Sequence, residues 1–72
     1  MKKDDYETIR KELQFYLEKQ IKIHIKLGFN HWLNGLILKI NKDNLVLNEN
    51  KFGEMIVFFE RISSINPMKV RE

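Results

Sequence analysis

The sequence predicts an α+β fold in which an N-terminal helix packs on a strongly bent antiparallel sheet of three to five strands. Apolar residues recur every three or four positions at first and every second position from Ile21 onward, which is the change from helical to extended periodicity. Gly35 lies inside the second extended stretch, where a glycine often marks a sharp bend or a close backbone approach. The predicted strands after the first are apolar on consecutive residues, at 36–38, 45–47 and 56–59. Because neighbouring residues of a strand point to opposite faces, both faces of the sheet need to be covered.

The first predicted element is a helix from about residue 4 to residue 19. Its apolar residues form one stripe with three- and four-residue spacing: Tyr6, Ile9, Leu13, Tyr16 and Leu17. Such a stripe is typical of a helix that packs one face on a core.

Four predicted strands follow at about 21–27, 31–40, 45–48 and 54–59, separated by turns rich in Gly, Asn and Asp. Ile62 and Ile65 indicate one more short extended piece, and a polar tail covers 67–72. We expect a single domain over 1–72, because a chain of 72 residues supports one core.

The doubly apolar strands predict self-association. One amphipathic helix covers only one face of a sheet, so the other face is buried by curling of the sheet or by a second subunit. Small domains also commonly gain stability by oligomerisation. We therefore expect a homodimer as the simplest assembly. The candidate interface residues are Trp32, Leu36, Leu38, Val57, Phe58 and Phe59.

Composition limits the possible partners and compartment. The chain carries 13 basic and 10 acidic residues, a net charge of +3, which permits contact with nucleic acid without implying it. It has no cysteine, which excludes disulfides and thiolate metal sites. No apolar stretch is long enough for a signal peptide or a membrane span. Together these features predict a cytoplasmic protein that does not contact membranes.

No catalytic, cofactor or metal site is predicted. The serines, Ser63 and Ser64, and the histidines, His24 and His31, show none of the spacings of nucleophile elbows, paired carboxylates or phosphate loops. Two imidazoles without cysteine make an incomplete metal site. We therefore expect a protein that is not an enzyme.

Two groups of residues are candidates for contact with a single-stranded nucleic acid. Lys22, His24 and Lys26 alternate along one side of the first strand, about 6–7 Å apart, a spacing that suits a phosphate backbone. The alternative, which we favour, is a solvated face or an edge strand that lysines protect from mispairing. Phe52, beside Lys51 at a turn tip, could stack on a base.

Counted from Gly35, the spacing of the chain resembles the Hfq branch of the Sm-like fold. Residues 23–27 are similar to its first strand, 33–37 to its bent second strand, and 57–67 to its last two strands. The resemblance implies a small bent barrel. Hfq-type proteins line an RNA-binding pore with an aromatic-Lys-His triplet, whereas the matching residues 58–60 here are Phe, Phe and Glu. The resemblance therefore implies the fold and puts the pore chemistry in doubt.

The chain is also similar to the Yopt family, small prophage-borne proteins of Gram-positive bacilli, in its length, its helix-then-strands order and Asp4-Asp5-Tyr6 near the start. That resemblance implies a homodimer with no known activity.

Two functions are compatible with these observations. The first is a small, non-enzymatic, homo-oligomeric interaction protein of phage or prophage origin, whose partner is another protein. The alternative is an Sm-like regulatory module that binds single-stranded RNA or DNA through Lys22, His24, Lys26, Lys51 and Phe52. We favour the first on sequence alone, because the pore triplet is missing and the net charge is small.

Overall fold

The computed structural model describes residues 3–68 and places one helix before five strands. The elements are α1 (Lys3–Lys19), β1 (Ile23–Leu27), β2 (His31–Ile40), β3 (Asn44–Glu49), β4 (Gly53–Phe58) and β5 (Ile62–Pro67), with a 3-10 turn at Phe59–Arg61 between β4 and β5. The strands form one antiparallel sheet in the order β4-β3-β2-β1-β5. The predicted α+β class is confirmed. No helix within 3–68 is long and apolar enough to span a membrane.

The junction between α1 and β1 differs from the prediction, because the first strand begins at Ile23 and not at Ile21. Gln20 adopts a left-handed backbone conformation with φ of 55°. The N–H of Ile21 donates to the carbonyl of Tyr16 at 2.9 Å, and that of Gln20 to the carbonyl of Leu17 at 3.2 Å. These are the bonds of a Schellman helix end, so Ile21 still completes the helix.

The end of the sheet also differs from the prediction. The short extended piece is a full strand, β5, which pairs with β1 at the far side of the sheet from β4. The chain must therefore leave β4 sharply, and Phe59 begins a 3-10 turn where a continuing strand was predicted. Pro67 belongs to β5, which tolerates it as an edge strand. The predicted tail thus starts after Pro67, and its residues 69–72 lie outside the described residues.

One hydrophobic cluster joins the helix to the inner face of the sheet. Its buried members are Leu13, Tyr16, Ile23, Ile25, Leu33, Ile37, Leu45, Leu47, Val57 and Phe59. The rest of the helical stripe packs against this cluster and is partly buried. Phe59 reaches it from the 3-10 turn and meets the ring of Tyr6 edge-on at 5.4 Å. Val57 and Phe59, expected at a subunit interface, therefore belong to the core of the single chain.

We call the opposite side of the sheet the outer face. Strand alternation places His24, Lys26, Trp32 and Asn34 on it near one end, and Ile56 lies on it in β4. Three further aliphatic or aromatic side chains expected at an interface also avoid the core: Leu36 is half-buried, and Leu38 and Phe58 are exposed. The outer face is therefore polar and aromatic beside β1 and apolar beside β4.

Gly35 allows β2 and β3 to approach each other closely. It pairs with Glu49 across the two strands, and a Cβ atom at this position would lie only 2.1 Å from the carbonyl oxygen of Asn48. Any side chain here would have to displace backbone. The glycine singled out in the sequence therefore marks a close strand contact.

Candidate nucleic-acid interface

An aromatic stack dominates the outer face of the β1–β2 hairpin. The register sets Lys26 opposite Trp32 and His24 opposite Asn34, so these side chains are cross-strand neighbours. The rings of His24 and Trp32 stack with centroids 4.1 Å apart and planes 13° from parallel. The Nζ atom of Lys26 lies 5.5 Å from the centroid of the Trp32 ring, within range of a cation–π interaction.

His24 supports the indole ring of Trp32. Its Nδ1 atom forms a hydrogen bond with Oδ1 of Asn34, and because an amide oxygen only accepts, His24 donates. The imidazole is held by Asn34 while it stacks on Trp32, and it is half-buried. Trp32 is 40% exposed, so it presents most of the accessible aromatic surface of this group. Trp32, expected at a subunit interface, thus lies among the predicted nucleic-acid contacts.

Trp32 also lines a cleft that reaches the β3–β4 turn. The cleft has a volume of about 420 Å³ and is lined by Asn30, His31, Trp32, Asn34, Glu49, Asn50, Lys51 and Phe52. The turn lies at this end of the sheet because β3 runs antiparallel to β2. Phe52, predicted to lie at a turn tip, is 67% exposed. Two accessible aromatic rings, one lysine and several amides therefore share one cleft.

Glu49 is a buried carboxylate beside this cleft, with 4% of its surface exposed. Its Oε1 atom accepts hydrogen bonds from the backbone N–H groups of Lys51 at 2.7 Å and Phe52 at 3.0 Å. Its Oε2 atom accepts one from the N–H of Asn34 at 3.0 Å. The hydrogen bond from the N–H of Asn34 is the main cause that lowers the pKa of Glu49, and the bonds from Lys51 and Phe52 lower it further. Burial raises the pKa, but the net shift is downward. Glu49 is therefore ionised at neutral pH.

Glu49 was not predicted as a site residue, although the spacing of β3 carries a signal for it. Leu45, Leu47 and Glu49 follow one another at two-residue spacing, so they point to the same face of β3. The first two are buried core residues. An acid that continues a buried face at the end of a strand needs nearby donors, and the following turn supplies them.

The predicted contact residues divide into two groups. Lys26 and His24 lie against the ring of Trp32, whereas Lys51 and Phe52 line the same cleft as Trp32. Lys22 precedes β1, four residues and so about 13 Å of strand away from Lys26, and its carbonyl accepts a hydrogen bond from the N–H of Met68. Lys22 therefore lies at the far end of this row from Lys26, two residues from His24, and is not among the residues that line the cleft.

The two histidines do not join a metal-binding group in the described part of the chain. Within 3–68, no group of three or more His, Cys, Asp or Glu side chains is arranged to hold a metal ion. His31 faces the cleft, whereas His24 is engaged by Trp32 and Asn34. The arrangement offers stacking surfaces, hydrogen-bonding groups and positive charge.

Comparison with solved structures identifies the fold. The chain is similar to the crystal structure of Hfq, described as a pleiotropic translational regulator, with a TM-score of 0.72 and 17% sequence identity over 81% of this chain and 95% of that one. The fold is therefore Sm-like, which confirms that part of the predicted resemblance. No protein-family model and no curated protein matches the chain, so the similarity to the Yopt family stays a prediction.

Proposed function

We propose that this protein is a non-enzymatic, Sm-like regulatory module that binds single-stranded RNA on the outer face of its sheet. The observation that carries the proposal is the placement of Trp32, stacked on His24 and beside Lys26, in one cleft with Lys51 and Phe52. Proteins that bind single-stranded nucleic acid commonly combine exposed aromatic rings with lysines in this way. The Sm-like fold of a translational regulator supports RNA as the ligand.

Binding proceeds through stacking and charge. A base stacks on the exposed part of Trp32 or Phe52, which is possible only where the strand is unpaired. Lys26 and Lys51 neutralise neighbouring phosphates. Asn30 and Asn50, which line the same cleft, supply amide donors and acceptors to base edges. A cytoplasmic site of action belongs to this proposal and is supported by the absence of cysteine.

The residues at the positions of the Hfq-type pore triplet, 58–60, favour the outer face over a pore as the RNA-binding surface. Phe59 is buried in the core and Glu60 is exposed in the 3-10 turn. A carboxylate repels phosphate, and a buried ring has no surface for a base. Phe58 keeps an exposed ring at the first triplet position, but the positive charge that the triplet lacks is found around Trp32, at Lys26 and Lys51.

The proposed function is tested by lysine substitutions and salt. With about two phosphate contacts per chain, raising the salt from about 50 to about 200 mM should weaken binding to a short single-stranded RNA by about sevenfold. The double variant Lys26→Ala, Lys51→Ala should bind more weakly and lose most of this salt dependence. Fluorescence anisotropy with labelled oligonucleotides measures both effects.

Lys11→Ala is the matched control, because Lys11 is exposed on α1 and lies outside the cleft. It should leave the affinity and the salt dependence nearly unchanged. No binding by the unmodified protein at low salt, or equal losses in the control and the double variant, would contradict the proposal and favour a protein-interaction module instead.

We further propose that the chain self-associates, as a dimer or a larger homo-oligomer, through the apolar part of the outer face. Ile56 is 60% exposed and Phe58 47% exposed on β4, and β4 lies at an edge of the sheet with one side unpaired among the described residues. Exposed apolar side chains beside a free strand edge favour association.

Ile56→Glu is expected to shift the protein toward a single chain. The new charge would lie on the apolar surface, and burying it in a contact costs free energy. Multi-angle light scattering at micromolar concentration should report a lower mass for the variant than for the unmodified protein. Glu54→Gln, on the same strand and face, should keep the assembly. If the unmodified protein already has the mass of a single chain, self-association is refuted.

A further inference from the structure

Glu49 presents a contradiction within the proposed RNA-binding cleft. An ionised carboxylate beside a site for a polyanion opposes binding by its charge. Yet this carboxylate is almost completely withdrawn from solvent, and the backbone N–H groups of Asn34, Lys51 and Phe52 surround its two oxygens. Its contacts are with the two segments that carry the aromatic walls of the cleft.

Those contacts bind the β3–β4 turn to the start of β2. Oε1 holds the turn at Lys51 and Phe52, whereas Oε2 holds Asn34, two residues after Trp32. The N–H of Asn50 donates to the carbonyl of Asn34 at 2.8 Å, which adds a second tie between the same two segments. The side chain of one residue therefore connects the backbone that carries Phe52 to the backbone that carries Trp32.

The neighbouring backbone leaves little room for another arrangement. The Gly35–Asn48 contact, which has no space for a Cβ atom, lies directly beside Glu49. Gly53 closes the turn with φ of 79°, in the left-handed region that favours glycine. Gly53 thus ends the turn, Gly35 packs against the strand that leads into it, and Glu49 ties the residues in between.

We propose that Glu49 is a positioning residue that sets the placement of Phe52 relative to Trp32 and thereby determines how the cleft receives a base. The inference rests on the proposed function, because it assigns a role within the same site. Glu49 makes no contact with RNA. It acts through the Lys51–Phe52 backbone, and charge-assisted hydrogen bonds of this kind give strong and directional restraint.

The positioning role and a purely electrostatic role predict opposite changes in RNA affinity for Glu49→Gln. If the charge only repels RNA, its removal tightens binding. If the carboxylate positions the turn, removal weakens binding, because an amide keeps one acceptor oxygen and places an NH₂ group against backbone N–H donors. Glu54→Gln is the control, since it removes the same charge from an exposed residue just beyond the same turn.

We expect Glu49→Gln to bind single-stranded RNA at least fivefold more weakly, and Glu54→Gln to bind as tightly as the unmodified protein or slightly more tightly. Anisotropy measures the affinity, and circular dichroism checks that each variant is folded at the assay temperature. A folded Glu49→Gln variant that binds RNA equally well or better overturns the proposal. Glu49→Asp keeps the charge on a shorter side chain and should also weaken binding, which provides the test if Glu49→Gln fails to fold.

A double-mutant cycle separates positioning from general stability. If Glu49 acts through Phe52, Glu49→Gln should have little further effect on affinity once Phe52→Ala is present. Fully additive losses in the two variants would overturn the proposal.

Backbone amide NMR without RNA tests the same inference independently of the proposed function. In Glu49→Gln the amide resonances of Lys51 and Phe52 should shift, and their amide protons should exchange with solvent faster. The amides of the helix should show neither change. Unchanged Lys51 and Phe52 amides would refute the positioning role. If the unmodified protein fails to bind RNA although these amides respond as expected, the proposed function fails and the structural role of Glu49 stands.

Discussion

Trp32→Ala is expected to weaken the binding of single-stranded RNA by at least tenfold. Stacking of a base on an aromatic side chain contributes about 1–3 kcal/mol, which corresponds to about 5- to 150-fold in affinity. The substitution also removes the surface on which His24 stacks and over which Lys26 is held. The loss should therefore exceed that caused by Lys26→Ala alone or by Lys51→Ala alone.

Anisotropy titrations and intrinsic fluorescence check this expectation. Trp32 is the only tryptophan of the chain, so quenching of its emission by RNA reports contact at this position directly. Trp32→Phe should retain part of the affinity, because a smaller ring still stacks. Phe15→Ala is the control, since Phe15 is 52% exposed on α1 and lies outside the cleft. Undiminished binding by a folded Trp32→Ala variant would show that the ligand site lies elsewhere.

Gly35→Ala is expected to lower the free energy of unfolding by about 2–3 kcal/mol. The added Cβ would stand 2.1 Å from the carbonyl oxygen of Asn48, and this neighbour is backbone, which moves only if β2 and β3 separate. A domain of 72 residues has a total stability of about 4–11 kcal/mol. The substitution therefore removes a large part of the stability and disturbs the adjacent Glu49.

Urea denaturation followed by circular dichroism measures the change. Gly28→Asn is the control: Gly28 has no atoms near the position of a Cβ, and asparagine tolerates its left-handed backbone conformation, with φ of 63°. It should move the midpoint far less than Gly35→Ala. Equal midpoints for Gly35→Ala and the unmodified protein would mean that the strands are not closely packed at this point.

The order of the helix and strands follows from local patterns. The stripe that ends with Tyr16 and Leu17 predicts α1 because helical periodicity alone determines which side chains share a face. The alternation in 21–27 predicts β1 for the same reason at a period of two. The close backbone contact at Gly35 and the exposure of Phe52 could also be anticipated, since a glycine within a strand and an aromatic residue at a turn tip are unusual in themselves.

The candidate site was only partly predictable. Lys26, Lys51 and Phe52 were chosen from charge and position, but nothing local relates Lys51 to Trp32, which lies 19 positions earlier. The register of β1 with β2 and of β2 with β3 brings these residues together. His24 was predicted as a possible nucleic-acid contact, and the structure adds that its ring stacks on Trp32, because cross-strand neighbours are set by pairing between strands.

The sequence by itself determined the helix, the alternating first strand, the unusual glycine within the second strand and the excess of apolar residues over what one helix can cover, because each depends on residues close together in the chain. Only the tertiary structure decided that Phe59 fills the core, that His24 and Trp32 stack, and that Glu49 ties the β3–β4 turn to β2. These depend on strand order and register, which arise from contacts between distant segments and are not encoded in any local pattern.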